Sequence, residues 1–179
     1  MSFLPDGYVA PASGSDGYFK FKQGDNKFRI LGDAETGLSY WTTEKKCVRS
    51  KKMPANKPDD IKTNSGQAWD KAVKHFWCLP VWNVEAKKIQ VLEITQYSIQ
   101  QAIEAFVNDA EWGDPKNYDL NVKRKGEGLD TEYSVMSSPN KGEFSDEIKE
   151  AMEKVEFDFS VIFDGGNPIT HKDEDSKKK

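Results

Sequence analysis

The chain has only two cysteines and two histidines in 179 residues, and that scarcity excludes several classes of protein. Two thiols cannot make a disulfide scaffold, and a reducing compartment keeps Cys47 and Cys78 free. Cys47, His75 and Cys78 are zinc-ligand types, and His75 and Cys78 have a two-residue spacer. Three ligands fall short of a structural site, and an i to i+3 spacing on a strand sends His75 and Cys78 to opposite faces. No apolar run reaches the roughly 18 residues of a spanning helix. The start MSFLPDG lacks the basic-then-apolar layout of a secretion signal, so the expected location is the cytoplasm of the cell that makes the protein.

Catalytic signatures are also missing: there is no Walker loop, dinucleotide fingerprint or nucleophile triad. Pro58 and Asp59, followed by Glu85, Ala86 and Lys87, imitate the order of a metal-dependent nuclease. Such a site needs its Glu and Lys on one rigid strand face, whereas these fall in an expected hairpin turn and Asp59 in a polar loop. The expectation is a non-enzymatic protein without cofactor or metal.

Positive charge is scarce overall but not locally. The net charge is −4, yet residues 18–90 hold 15 Lys and Arg against 8 Asp and Glu, and 91–135 hold 4 against 9. That division points to one anion-facing surface on an otherwise acidic protein. With 36% hydrophobic and 12% aromatic residues, the chain can bury one core and is short for two. The expected organisation is a flexible arm over 1–17, a β domain over 18–137, a helical and extended segment over 138–163, and a disordered charged tail over 164–179.

The organising stretch is 74–107. Residues 76–84 are nearly all apolar, with Phe76, Cys78, Trp82 and Val84 on one face and His75, Trp77, Leu79 and Val81 on the other. A polar turn over 83–87 and a branched run over 88–95 make a hairpin. Thr95 or Ser98 then starts a helix through Ile99, Ile103, Phe106, Val107 and Ala110, ended by Gly113. Upstream, 18–22 and 27–31 are expected to pair as a hairpin around Gly24, Asp25 and Asn26, followed by extended pieces at 38–43 and 46–50. The polar stretch 51–73, broken by Pro54, Pro58 and Gly66, is long for a plain connection. Downstream, 118–123 and 131–135 form a second hairpin. Ser145 caps a helix through Ile148, Ala151, Met152 and Val155, and 157–163 alternates as an extended segment.

The resulting order, an interrupted first strand over 28–43, two strands, a helix and two more strands, is that of an OB-fold, a partly open five-stranded barrel with a capping helix between strands 3 and 4. Its ligand lies across strands 2 and 3, between the loops joining strands 1 and 2 and strands 4 and 5. The first loop region holds Lys45, Lys46, Arg49, Lys51, Lys52, Lys57 and Lys62, and the second holds Lys123, Arg124 and Lys125. Tyr40, Trp41, Lys74, His75 and Trp77 border the long loop and offer flat faces and charge, the two requirements of single-strand binding. Phe76 and Trp82, on the opposite parity, are assigned to the core. A β-barrel that binds only protein, or a virion component, fits the fold but leaves the basic loops without a purpose.

The strings YFKFKQGDNKFRIL, KHFWCLPVWN, IQVLEITQYSI, WGDPKNYDL and RKGEGLDTEYSV resemble the single-stranded DNA-binding proteins of tailed bacteriophages, over about residues 18–135. The resemblance implies an OB-fold that coats single-stranded DNA in phage replication and recombination inside the bacterial host, with replication or recombination proteins as further partners. The end of the chain departs from the acidic, partner-recruiting segment common in such proteins: KDED is followed by Ser176 and three lysines.

Overall fold

The computed structural model describes residues 17–172, apart from the side chains of 139–141. Its centre is β4 (Lys74–Asn83), which pairs with the full length of β5 (Lys88–Ile94), from Trp77 opposite Ile94 to Asn83 opposite Lys88. The other edge of β4 is shared by β1 (Gly24–Ile30) and β2 (Glu35–Trp41). Phe28 lies opposite Asn83 and Ile30 opposite Val81, then Glu35 opposite Cys78 and Ser39 opposite Lys74. The two form the expected interrupted strand. At the break a Cβ on Gly32 would lie 3.0 Å from Cγ of Pro80, so glycine lets the ribbon pass close to that proline.

β6 (Tyr118–Lys125) pairs with β1, β7 (Glu132–Lys141) pairs with β6, and β3 (Cys47–Ser50) pairs with β2. The described residues are thus mainly β, with one large antiparallel sheet in the order β3-β2-β4-β1-β6-β7 and β5 on β4. Strand alternation sends Phe28, Ile30, Leu79, Val81, Leu92, Ile94, Leu120 and Val122 into one core. Ile99 and Ile103 of α1 (Tyr97–Val107) join it, and each such buried side chain contributes about 1.5–3 kcal/mol.

Two local expectations change. The 18–22 with 27–31 hairpin does not form, because the Asn26 side chain holds the bend itself: Lys22 N donates to its Oδ1, and its Nδ2 donates to the carbonyls of Lys22 and Val122, each at 2.9 Å. Residues 24–26 therefore belong to β1, and the lead before it crosses to β5, where Phe19 N donates to Val91 O and Val91 N to Gly17 O, both at 2.8 Å. Phe19 enters the core at 5.4 Å from the Phe28 ring, and Phe21 meets Tyr133 of β7 at 5.9 Å. The lead thus spans from β5 towards β7. α1 starts after Gln96, whose Oε1 accepts from Thr95 N, not after Thr95 or Ser98. It stops at Asn108, before Gly113, because Asp109 accepts from Glu111 N and Trp112 N and turns the chain so that Trp112 packs on Tyr118.

The second face of β4 is buried too. Ser145 caps α2 (Asp146–Glu153) as expected, accepting from Ile148 N at 3.3 Å. Beyond it, β8 (Val155–Phe157) pairs with β9 (Ile169–His171). Between them 159–164 is a 3₁₀ turn, where the sequence suggested extended chain: Asp158 accepts from Ser160 N, and Gly165 closes it at φ 78°. Three-residue spacing puts Phe159 and Ile162 together on Phe76, Cys78 and Val91, while Ile148 covers Trp82 and Leu31. Residues 169–171 of the expected disordered tail are therefore a strand. Residues 1–16, nearly all of the expected arm, and 173–179, the last seven residues of the expected tail, lie outside the described residues.

Candidate nucleic-acid interface

β3 pairs with the second half of β2 at the edge of the sheet, and the hairpin they form is a two-stranded arm beside the start of β4. Its turn is held by Thr42, whose N donates to Lys46 O at 2.8 Å and whose Oγ1 accepts from Lys46 N at 3.0 Å, with Lys45 at φ 64°. The polar stretch 51–73 is not a free loop, because its middle is tied to the arm's tip. Ile61, 6% exposed, bridges Thr42; Thr43 N donates to Asp60 O, and Lys62 N donates to Trp41 O. The arm presents Trp41, 57% exposed, together with exposed Lys45, Lys46, Lys52, Lys57 and Lys62. Lys46 has Glu44 at 3.6 Å, and Lys51 is engaged by Glu35 and sits 4.6 Å over the Phe163 ring. Lys45 and Lys52 have no carboxylate partner among the described residues.

Not every predicted residue faces solvent. Arg49 lies opposite Ser39 on the covered face, its side chain 14% exposed, with Nη2 donating to Glu93 at 2.5 Å and the guanidinium 5.9 Å from the Phe76 ring. Burial alone would lower its pKa, but the hydrogen bond and charge of Glu93 outweigh that and raise it. It is a structural cation. Lys74 and His75, at the exposed start of β4, lie opposite Ser39 and Leu38, and half-buried Tyr40 lies opposite Val48.

Trp77 is half-buried against the main core, whereas Phe76 and Trp82 are buried beneath the C-terminal segment. Trp77 also lines a cavity of about 530 Å³ beside α1, among Leu79, Ile103 and Val107, with Asp33, Glu104 and Asp114 at the rim. Lys116, also there, is held by Asp33 at 2.8 Å and Asp114 at 3.8 Å. That rim has the wrong sign for a phosphate backbone.

The second predicted cluster lies at the other end of the β1–β2 ribbon, with Lys123 opposite Asp25 and Arg124 opposite Gly24. Lys125 is exposed, while Arg124 turns inward and donates to Phe21 O at 3.0 Å. Sequence reasoning missed the neighbours of this cluster: Lys20, Lys22 and Lys27, with Lys87 in the adjoining turn and Lys88 at the start of β5. The signal was the basic and aromatic alternation of 18–22, read as part of a hairpin. The nuclease-like residues do not meet, since Asp59 belongs to the segment tied to the arm and Glu85 engages Lys22 at the far end of β4. Cys47 and Cys78 lie on the covered face and His75 on the opposite one. Comparison with protein-family models, curated proteins and solved structures finds no match for this chain.

Proposed function

We propose that the chain is a single-stranded DNA-binding protein on an OB-fold, which coats exposed strands during phage DNA replication and recombination in the cytoplasm of the host. The observation that carries this is the arm, where Trp41 is 57% exposed and the exposed Lys45 and Lys52 have no carboxylate partner among the described residues, in a chain of net charge −4. Stacking contributes about 1–3 kcal/mol per base and phosphate contacts supply the salt-dependent remainder, neither of which reads sequence.

The fold part of the proposal is supported by the ladder order. With β1 and β2 counted as one interrupted strand, five strands run β5, β4, β1–β2, β6, β7, with α1 between the third and fourth in sequence, the layout of a partly open OB barrel. The middle of β4 and β5 is covered by Phe159 and Ile162. Binding is therefore assigned to the arm, through Tyr40, Trp41, Lys45, Lys46, Lys52, Lys74 and His75, and to the barrel end bearing Lys123 and Lys125. A second reading, a protein-binding barrel, is favoured by the acid-rimmed apolar cavity beside α1, which suits a peptide with an apolar anchor and a basic flank. Titration of tryptophan fluorescence with oligo-dT separates the two: single strands quench under the first reading, and neither strand nor duplex does under the second.

A further inference from the structure

The end of the barrel away from the arm contains a cavity of about 420 Å³, floored by Phe19 and walled by Lys20, Lys22, Lys27, Asn83 and Glu85. Three ammonium groups surround it against one carboxylate, and that carboxylate is engaged by Lys22. Lys20 and Lys27 have no ion-pair partner among the described residues. The walls are fixed by internal hydrogen bonds. Lys22 N donates to Asn26 Oδ1 at 2.9 Å, Val84 N donates to Lys27 O at 3.2 Å, and Asn83 Nδ2 donates to Gln90 Oε1 at 2.8 Å. Asn83 Oδ1 is already taken by the amides of Glu85 and Ala86. Little hydrogen-bonding capacity is left to read a base edge, so what the cavity offers is positive charge on rigid supports.

We propose that this cavity is a second phosphate-binding site, which takes a backbone phosphate of the same DNA strand whose bases stack on the arm. This rests on the single-strand reading above. Arm and cavity adjoin opposite ends of β4: Ser39 faces Lys74 at one end and Phe28 faces Asn83 at the other. At about 3.3 Å per residue β4 is roughly 30 Å long, so a strand held at both ends passes beside the covered face and need not displace it.

The test is fluorescence anisotropy at several salt concentrations with labelled oligo-dT of about 5 and about 20 nucleotides, which bracket the ~4–16 nucleotides an OB-fold occupies. The double variant Lys20→Ala with Lys27→Ala should bind the ~20-mer on the order of tenfold more weakly, with a salt slope shallower by about 0.7, one phosphate's worth for a single strand. The ~5-mer, held on the arm, should bind the variant as it binds the unaltered protein. Glu85→Gln removes the only carboxylate among the described residues of the wall and should tighten the ~20-mer complex, a gain that misfolding cannot mimic. Unchanged ~20-mer binding by the double variant, or equal loss at both lengths, overturns the cavity while leaving the arm. No binding by the unaltered protein at either length overturns the single-strand reading and the cavity with it.

Discussion

Trp41 and Trp77 border the same arm but differ in burial, so truncating each should split binding from stability. Trp41 is 57% exposed, and surface truncations of that kind stay within about 0.5 kcal/mol. Trp77 packs on the main core beside Leu79 and Ile103, and its loss leaves a cavity. Full burial would make Trp→Ala cost about 3–5 kcal/mol, and half-burial brings that to roughly 2–3. For a chain of this length, ~1 kcal/mol moves Tm by about 2–4 °C. Trp77→Ala should therefore lower Tm by roughly 4–12 °C, and Trp41→Ala by less than about 2 °C. Binding should show the reverse order: loss of the Trp41 stacking face costs about 1–3 kcal/mol, or roughly 5- to 150-fold in Kd for oligo-dT. Scanning calorimetry and anisotropy on both variants decide it. A Trp77→Ala protein with unaltered Tm and lost binding, beside a Trp41→Ala protein with full affinity, would refute the assignment of faces.

Gly37 tests the C-terminal cover, because a Cβ there would meet Ser50 O at 2.8 Å and the Phe163 and Phe76 rings at 2.9 Å. Gly37→Ala should cost about 1–3 kcal/mol in guanidinium unfolding, and a neutral result would mean that Phe163 does not lie on the sheet. Burial, then the charge of Glu93, push the Cys78 thiol up to about 12. Its raised pKa leaves the thiol protonated below that value, so the native protein at pH 8 should leave Cys78 unalkylated and denaturation should expose it. Rapid native labelling of Cys78 would contradict the second layer.

The β4, β5 and α1 unit is legible in the sequence because each piece has a distinct pattern: a continuous apolar run, a branched run, then Ile99 and Ile103 at helical spacing. Which face of β4 lines the main core is not legible. Both faces are apolar, and the layer covering Phe76 and Trp82 comes from residues at the other end of the chain. Arg49 reads as one more cation of a basic stretch until Glu93, 44 positions later, is brought against it. Counting charge by position cannot detect pairing. The same blindness hid Lys20 and Lys27, whose approach to the turn after β4 depends on the Asn26 side chain holding the bend.

The measurement that bears most directly on the central claim is titration of intrinsic tryptophan fluorescence with oligo-dT at several salt concentrations, with a duplex of equal length as competitor. With roughly 3 to 6 phosphates neutralised, log K should fall with log salt at a slope of about −2 to −4, the single strand should quench, and the duplex should compete weakly. No quench and no salt response, or equal affinity for the duplex, would contradict the account.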